Sequence, residues 1–357
     1  MHALRLLLVL VATFASGCAD CGGREITPGS SPDVAAPSSS SDAAAPHDFD
    51  RGENGLWARR HWVHGGQTDF AALAADLRAR GVTHYYPFLG PPDGAGRPGW
   101  RKDGVITPWS PATATRFLEG LRAHSPEVQV TPWTGGVLGE DIDFDDGERL
   151  RRWAKQLRAV VDAGAAGVQI NVEPMPSGAR AYLQLLELVR EELGPEPRLA
   201  IAAYPPETPL HPFPSVHWSL DFITEVCLRS DEMAFMAYDT ALKDGGQYRQ
   251  LVADWTVQLA GALDLPEETG CDWLMGVPAY EDEGVAYHHP EAETLENGIA
   301  GVIDGLSALK TTPKRFRGIA LYASWTTDED EWATYDRRWR EREPVGGTTP
   351  DGPGWTP

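Results

Sequence analysis

From about residue 56 onward, short apolar runs that suit β-strands alternate with longer stretches whose apolar positions fall at helical spacing. The pattern predicts strands over 56–63, 82–89, 128–133, 166–174, 199–204, 233–238, 273–277 and 316–323. It predicts helices over 69–80, 111–124, 145–163, 178–193, 220–228, 247–263, 295–309 and 328–340, the third with Asp145 and Glu148 in capping-box positions. A Gly/Pro-rich insertion separates the second strand from the second helix. Eight strand–helix pairs in about 290 residues match a (β/α)8 TIM barrel, fold class α/β, in number and length. An open doubly wound sheet is the alternative, but the glycine-rich first turn of that fold is missing.

The fourth strand has the most informative alternation. Gln169, Asn171 and Glu173 share one face, and Val168, Ile170 and Val172 share the other. The apolar face suits packing against helices. The polar face then points into the sheet's interior, where polar groups without partners are costly. A hydrogen-bonded polar core cluster is one explanation; a polar cleft that takes substrate is the other.

The ends of the chain lack this pattern. Residues 1–17 read as an export signal: Arg5, an apolar run over 6–14 too short to span a bilayer comfortably, then Ala15-Ser16-Gly17 before Cys18. Small residues directly before a cysteine resemble a bacterial lipobox, which implies lipidation of Cys18 and anchoring in the cell envelope on its periplasmic or outer side. An ordinary secretory signal is the alternative, and it too exports the protein. Residues 18–50 are rich in Ser, Pro, Ala, Gly and Asp and read as a disordered tether. The folded domain is expected over 51–343, with a disordered tail over 344–357.

The chain has 357 residues and a formal net charge of −21, which disfavours a nucleic-acid partner. No nucleotide-binding glycine loop or dense Cys/His signature is present, so neither cofactor nor metal is expected. Asp141-Ile142-Asp143-Phe144-Asp145-Asp146-Gly147 has some character of a calcium loop. Its glycine is one place late and Arg152 stands where glutamate is needed, so helix capping is preferred. His61, His64, His288 and His289 lack a metal-ligand set and read as loop or surface residues.

In a barrel the reactive residues lie at the C-terminal ends of the strands. Those ends carry Phe88, Trp133, Asn171, Glu173, Tyr204, Tyr238, Asp239, Tyr280, Glu281, Tyr322 and Trp325. Aromatic faces with a few carboxylates suit sugar rings, which stack on one side and need polar partners for their hydroxyls.

These residues resemble glycoside hydrolase family 18, the chitinases and chitinase-like proteins. The family's strand-four pattern is Asp-Gly-x-Asp-x-Asp-x-Glu; here the run is Ala166-Gly167-Val168-Gln169-Ile170-Asn171-Val172-Glu173, with the glycine and glutamate kept and the aspartates replaced. Trp133-Thr134-Gly135-Gly136 is similar to the family's Ser-x-Gly-Gly without the serine. Met236-Ala237-Tyr238-Asp239 matches Met-x-Tyr-Asp, and Gly276-Val277-Pro278-Ala279-Tyr280 matches Gly-x-Pro-x-Tyr. Asn171 two places before Glu173 also resembles family 85, the endo-β-N-acetylglucosaminidases. The resemblance implies substrate-assisted hydrolysis of an N-acetylglucosamine-containing glycan. Glu173 would be the acid/base, with Asn171, Tyr238 and Asp239 handling the acetamido group and its surroundings. Trp133, Gln169, Tyr204, Met236, Tyr280, Glu281 and Trp325 would contact the glycan.

Two alternatives remain open from sequence. One is a two-carboxylate glycosidase that pairs Glu173 with Glu281. The other is a glycan-binding lipoprotein without turnover, since the strand-four aspartates are replaced. Cys227 and Cys271 fall where a barrel's fifth helix ends and its seventh strand begins, both at the bottom face, so a disulfide between them is expected.

Overall fold

The computed structural model describes residues 48–60, 68–212, 216–281 and 287–341. The signal, Cys18, nearly all of the tether, the tail from 344 on, His61 and His64 lie outside the described residues.

The first strand is β1 (Asn54–Ala58), shorter than expected, followed by α1 (Phe70–Ala79) and β2 (Val82–Gly90). The Gly/Pro-rich insertion forms an antiparallel hairpin, β3 (Gly99–Lys102) with β4 (Val105–Pro108). Next come α2 (Pro111–His124), β5 (Gln129–Val130), β6 (Trp133–Val137), α3 (Gly147–Asp162), β7 (Gly167–Glu173) and α4 (Arg180–Leu193). The chain continues through β8 (Arg198–Ala203), α5 (Leu220–Cys227), β9 (Glu232–Met236), α6 (Gly245–Ala262), β10 (Asp272–Pro278), α7 (Leu295–Ala308), β11 (Phe316–Tyr322) and α8 (Glu329–Tyr335). A π-helical turn, Asp336–Arg340, ends the last helix.

All ladders of the main sheet are parallel, and β1 pairs with both β2 and β11. That closure makes a (β/α)8 barrel, with β5 and β6 together forming the third stave. The expected third strand is broken in two and runs further, so Thr134, Gly135 and Gly136 lie inside it. Glycine is required here: a Cβ on Gly135 would stand 1.7 Å from the Asn171 carbonyl oxygen, and one on Gly136 2.5 Å from Asp141 Oδ2.

Helix starts follow local chemistry. Asp69, Ser110, Asp146, Ser219, Asp244, Thr294 and Asp328 each accept a backbone N–H in the first turn of the helix that follows. The cap of α3 is Asp146, one residue later than expected: its Oδ1 accepts the Arg149 N–H at 3.0 Å, and the Asp145 N–H is held by Asp143 Oδ1 at 2.9 Å. The reciprocal capping box is instead at Asp328 and Glu331. Asp141 is buried, pairs with Arg101 of the hairpin and accepts the Val137 N–H, which leaves no calcium loop.

The barrel separates two apolar regions. Between helices and strands lies one continuous core that includes Val168, Ile170 and Val172. Inside the barrel lies a small cluster of Trp57, Tyr86, Ala234, Leu274, Ala320 and Ala323, flanked by Trp133, Tyr322 and Trp325. At the N-terminal ends of the strands a buried carboxylate, Glu232, accepts from Tyr86 Oη at 2.6 Å and pairs with His84 and Arg198 at 2.7 Å. Burial alone would raise Glu232, but these partners outweigh it and hold it down to about 2. Charge therefore plugs this end, and the opposite end is left for chemistry.

The expected Cys227–Cys271 disulfide is present, with Cα atoms 5.3 Å apart, joining the end of α5 to the chain entering β10. Among the described residues no helix is long and apolar enough to cross a membrane.

Candidate active site

Strand alternation carries Asn171 and Glu173 to the C-terminal mouth on the inner face of β7. Asn171 Nδ2 donates to Glu173 Oε2 at 3.1 Å, and Tyr204 Oη donates to Glu173 Oε1 at 3.1 Å. Tyr204 sits just past β8 and packs edge-on against Trp218, whose indole N–H is fixed on the Met175 carbonyl at 2.9 Å. Glu173 is thus gripped on both oxygens by groups that are themselves braced.

Burial raises the Glu173 pKa above its ordinary 4.5. The hydrogen bonds from Asn171 and Tyr204 pull the other way, and the Asp239 charge adds to the rise. The net effect keeps a proton on Glu173 to higher pH than an exposed glutamate, which suits a general acid. Asn171 Oδ1 is buried with no hydrogen-bond partner. A buried acceptor of this kind is costly unless a ligand supplies a donor.

Tyr238 and Asp239 follow β9. Asp239 adopts φ +58, in the left-handed region that aspartate tolerates better than most residues, and this turns its carboxylate back toward the mouth of β10. There Tyr280 Oη donates to Asp239 Oδ1 at 2.5 Å. The Tyr238 ring stacks on Tyr322 at 5.1 Å, and Tyr322 meets Trp325 edge-on at 5.4 Å and Tyr280 at 5.9 Å. Phe88 and Trp133 pack at 4.2 Å. Half-buried Trp133, Tyr238, Tyr322 and Trp325 give the mouth apolar faces suited to stacking on flat ligand surfaces. Met236 is half-buried at the end of β9.

Three sequence expectations change. Gln169 is fully buried and accepts from Trp57 Nε1 at 2.8 Å, so it braces β7 against β1 instead of lining the opening. Glu281 is exposed, and the charge that raises Glu173 is that of Asp239. Glu281 acts on Glu331 instead, which burial and neighbouring carboxylates raise to about 7. The pairing of Glu173 with Glu281 therefore loses its support. His288 is not a surface residue. It is buried against the Tyr280 ring at 4.3 Å, with Nδ1 3.5 Å from Asp239 Oδ1 and 3.7 Å from Glu293 Oε2. Burial disfavours its charged form, but the two carboxylates prevail and raise it to about 9. Glu293 was missed from sequence: it lies just before the Thr294 cap of α7, and only barrel closure brings it to the Thr240 N–H, at 2.9 Å.

No protein-family model matches the chain, and no curated protein matches it. Solved structures do. A GH18 chitinase from Cycas revoluta in complex with allosamidin is 18% identical, with 79% of this chain and 97% of that one covered and a TM-score of 0.52. The spore cortex-lytic enzyme SleL of Bacillus megaterium QM B1551 is 12% identical, covering 92% and 81%, with a TM-score of 0.51. SleL of Bacillus cereus is 11% identical, covering 80% and 74%, with a TM-score of 0.50. The protein shares the parallel eight-stranded barrel of these enzymes.

Proposed function

We propose that the protein is a glycoside hydrolase that cleaves an N-acetylglucosamine-containing glycan by a substrate-assisted, retaining route. The observation that carries this reading is Glu173: a half-buried carboxyl at the mouth of the barrel, raised in pKa and held on both oxygens. Glu173 donates its proton to the glycosidic oxygen as the bond to the leaving sugar breaks. The carbonyl oxygen of the substrate's own 2-acetamido group attacks the anomeric carbon, so no enzyme nucleophile is needed. Water, deprotonated by Glu173, then opens the cyclic intermediate with net retention.

The unpartnered Asn171 Oδ1 suits the acetamido N–H, and Tyr238 suits the acetamido oxygen. Trp325, edge-on to Tyr322, provides a face beneath the ring. Structural neighbours named as chitinase and as spore cortex-lytic enzyme support a glycan substrate. The same proposal anchors the enzyme in the bacterial envelope through lipid on Cys18.

A second reading is a glycan-binding protein without turnover, favoured by Gln169 and Asn171 standing where the resembled family has aspartates. Incubating the protein with chitooligosaccharides, peptidoglycan fragments and N-glycans separates the two. The expected result is reducing-end release by the parent, with Glu173→Gln inactive but still binding. Binding without release by the parent would establish the second reading, and release undiminished by Glu173→Gln would remove Glu173 from its role.

A further inference from the structure

We propose that Asp239, His288 and Glu293 form a site for one divalent transition-metal cation, with zinc the best match. The inference rests on this cluster alone and holds whether or not the protein is a hydrolase.

One ligand atom from each residue lies within 4.8 Å of the others. His288 Nδ1 stands 3.5 Å from Asp239 Oδ1 and 3.7 Å from Glu293 Oε2. A proton shared between an imidazolium and a carboxylate draws the heavy atoms to about 2.7–2.9 Å. Ligand atoms each about 2.0–2.1 Å from a tetrahedral zinc are instead about 3.3–3.5 Å apart. The two spacings at His288 are closer to the edge of a coordination tetrahedron than to a hydrogen bond, and the Asp239–Glu293 edge, within 4.8 Å, would draw in around the ion.

A second observation is independent of spacing. Both ring nitrogens of His288 and Oε1 of Glu293 are buried and make no hydrogen bond of ordinary geometry, the carboxylates nearest Nδ1 standing 3.5 and 3.7 Å away. The two side chains are 1% and 0% exposed, so water does not meet these groups from outside. Unmet polar atoms at that depth cost free energy that a cation would recover.

The surroundings are those of a prepared ligand set. Tyr280 Oη donates to Asp239 Oδ1 at 2.5 Å, and the Thr240 N–H donates to Glu293 Oε2 at 2.9 Å. Such outer contacts orient carboxylate ligands. An imidazole with two carboxylates suits zinc and its first-row neighbours, whereas calcium takes six to eight oxygens. A cation here would tie the segment before α7 to the turn after β9, and so fix Asp239.

The test uses untagged full-length protein, dialysed against chelator and titrated with Zn²⁺ by calorimetry and with Co²⁺ by visible absorption. The expected result is one ion per chain with micromolar or tighter affinity, the intense d–d bands of tetrahedral Co²⁺, and a higher Tm with Zn²⁺. His288→Ala and Glu293→Gln should each weaken binding about 100-fold or more, since even outer-shell losses cost about 10–100-fold. Glu293→Gln keeps the side-chain shape and an acceptor for Thr240, so it tests the site in a folded chain. Two results would overturn the proposal: no stoichiometric ion bound by the folded parent, or binding that neither variant weakens.

Discussion

Asn171→Asp offers the sharpest test of how Glu173 is tuned. The parent amide donates to Glu173 Oε2 at 3.1 Å and so stabilises the ionised form. A hydrogen bond to a charged group is worth about 1.5–3 kcal/mol. At about 1.4 kcal/mol per pH unit, its loss alone moves the Glu173 titration up by about 1–2 pH units. The new carboxylate adds repulsion of about 4 kcal/mol at about 4 Å with an effective dielectric near 20. That is worth up to about 3 further pH units, and a proton shared between the two carboxyls adds to the rise. Both effects have the same sign. A general acid must be protonated, so the rate falls above its pKa, and raising that pKa moves the fall to higher pH. The alkaline limb of kcat/KM on an N-acetylglucosamine oligosaccharide should therefore rise by at least about 2 pH units in Asn171→Asp. Asn171→Ala, which removes the donor without adding charge, should raise it by about 1–2. The assay is the pH–rate profile of all three forms on one substrate. An unmoved or lowered limb in Asn171→Asp, or a shift in Asn171→Ala just as large, would refute the reasoning.

Glu173→Gln should also change stability in a pH-dependent way. The folded pKa lies above the unfolded value near 4.5, so the parent loses stability as pH rises from that value through the folded one. The variant should melt above the parent at about pH 8 and with it at about pH 4; the opposite order in thermal scans would contradict the burial argument. Cys227 and Cys271 are 44 residues apart, for which loop closure predicts up to about 4 kcal/mol of stabilisation. Replacing both by serine should lower the urea midpoint, and an unchanged midpoint would count against that contribution. Mass spectrometry of the membrane fraction should find diacylglycerol on Cys18 as the first mature residue; a different, unacylated N-terminus would refute the anchor.

The periodicity of the chain determined the barrel. Strands buried on both faces and helices with one apolar stripe admit few arrangements, and eight alternations select one of them. The alternation of Gln169, Asn171 and Glu173 against Val168, Ile170 and Val172 was also readable, because side-chain direction in a strand follows from local geometry. So was the disulfide, since topology alone places Cys227 and Cys271 at one end. Depth along a stave is different. Gln169 and Glu173 share a face, but one is sealed under Trp57 and the other opens to the mouth, about 13 Å further along β7 at 3.3 Å per residue. Pairing between loops is different again. Glu281 follows its strand as directly as Asp239 follows β9, yet its charge acts on Glu331, and His288 and Glu293 reach Asp239 instead. Local sequence sets which residues leave a strand together. Which of them meet across the mouth depends on loop paths and barrel closure, contacts between residues as distant in sequence as Tyr238 and Tyr322 or Thr240 and Glu293.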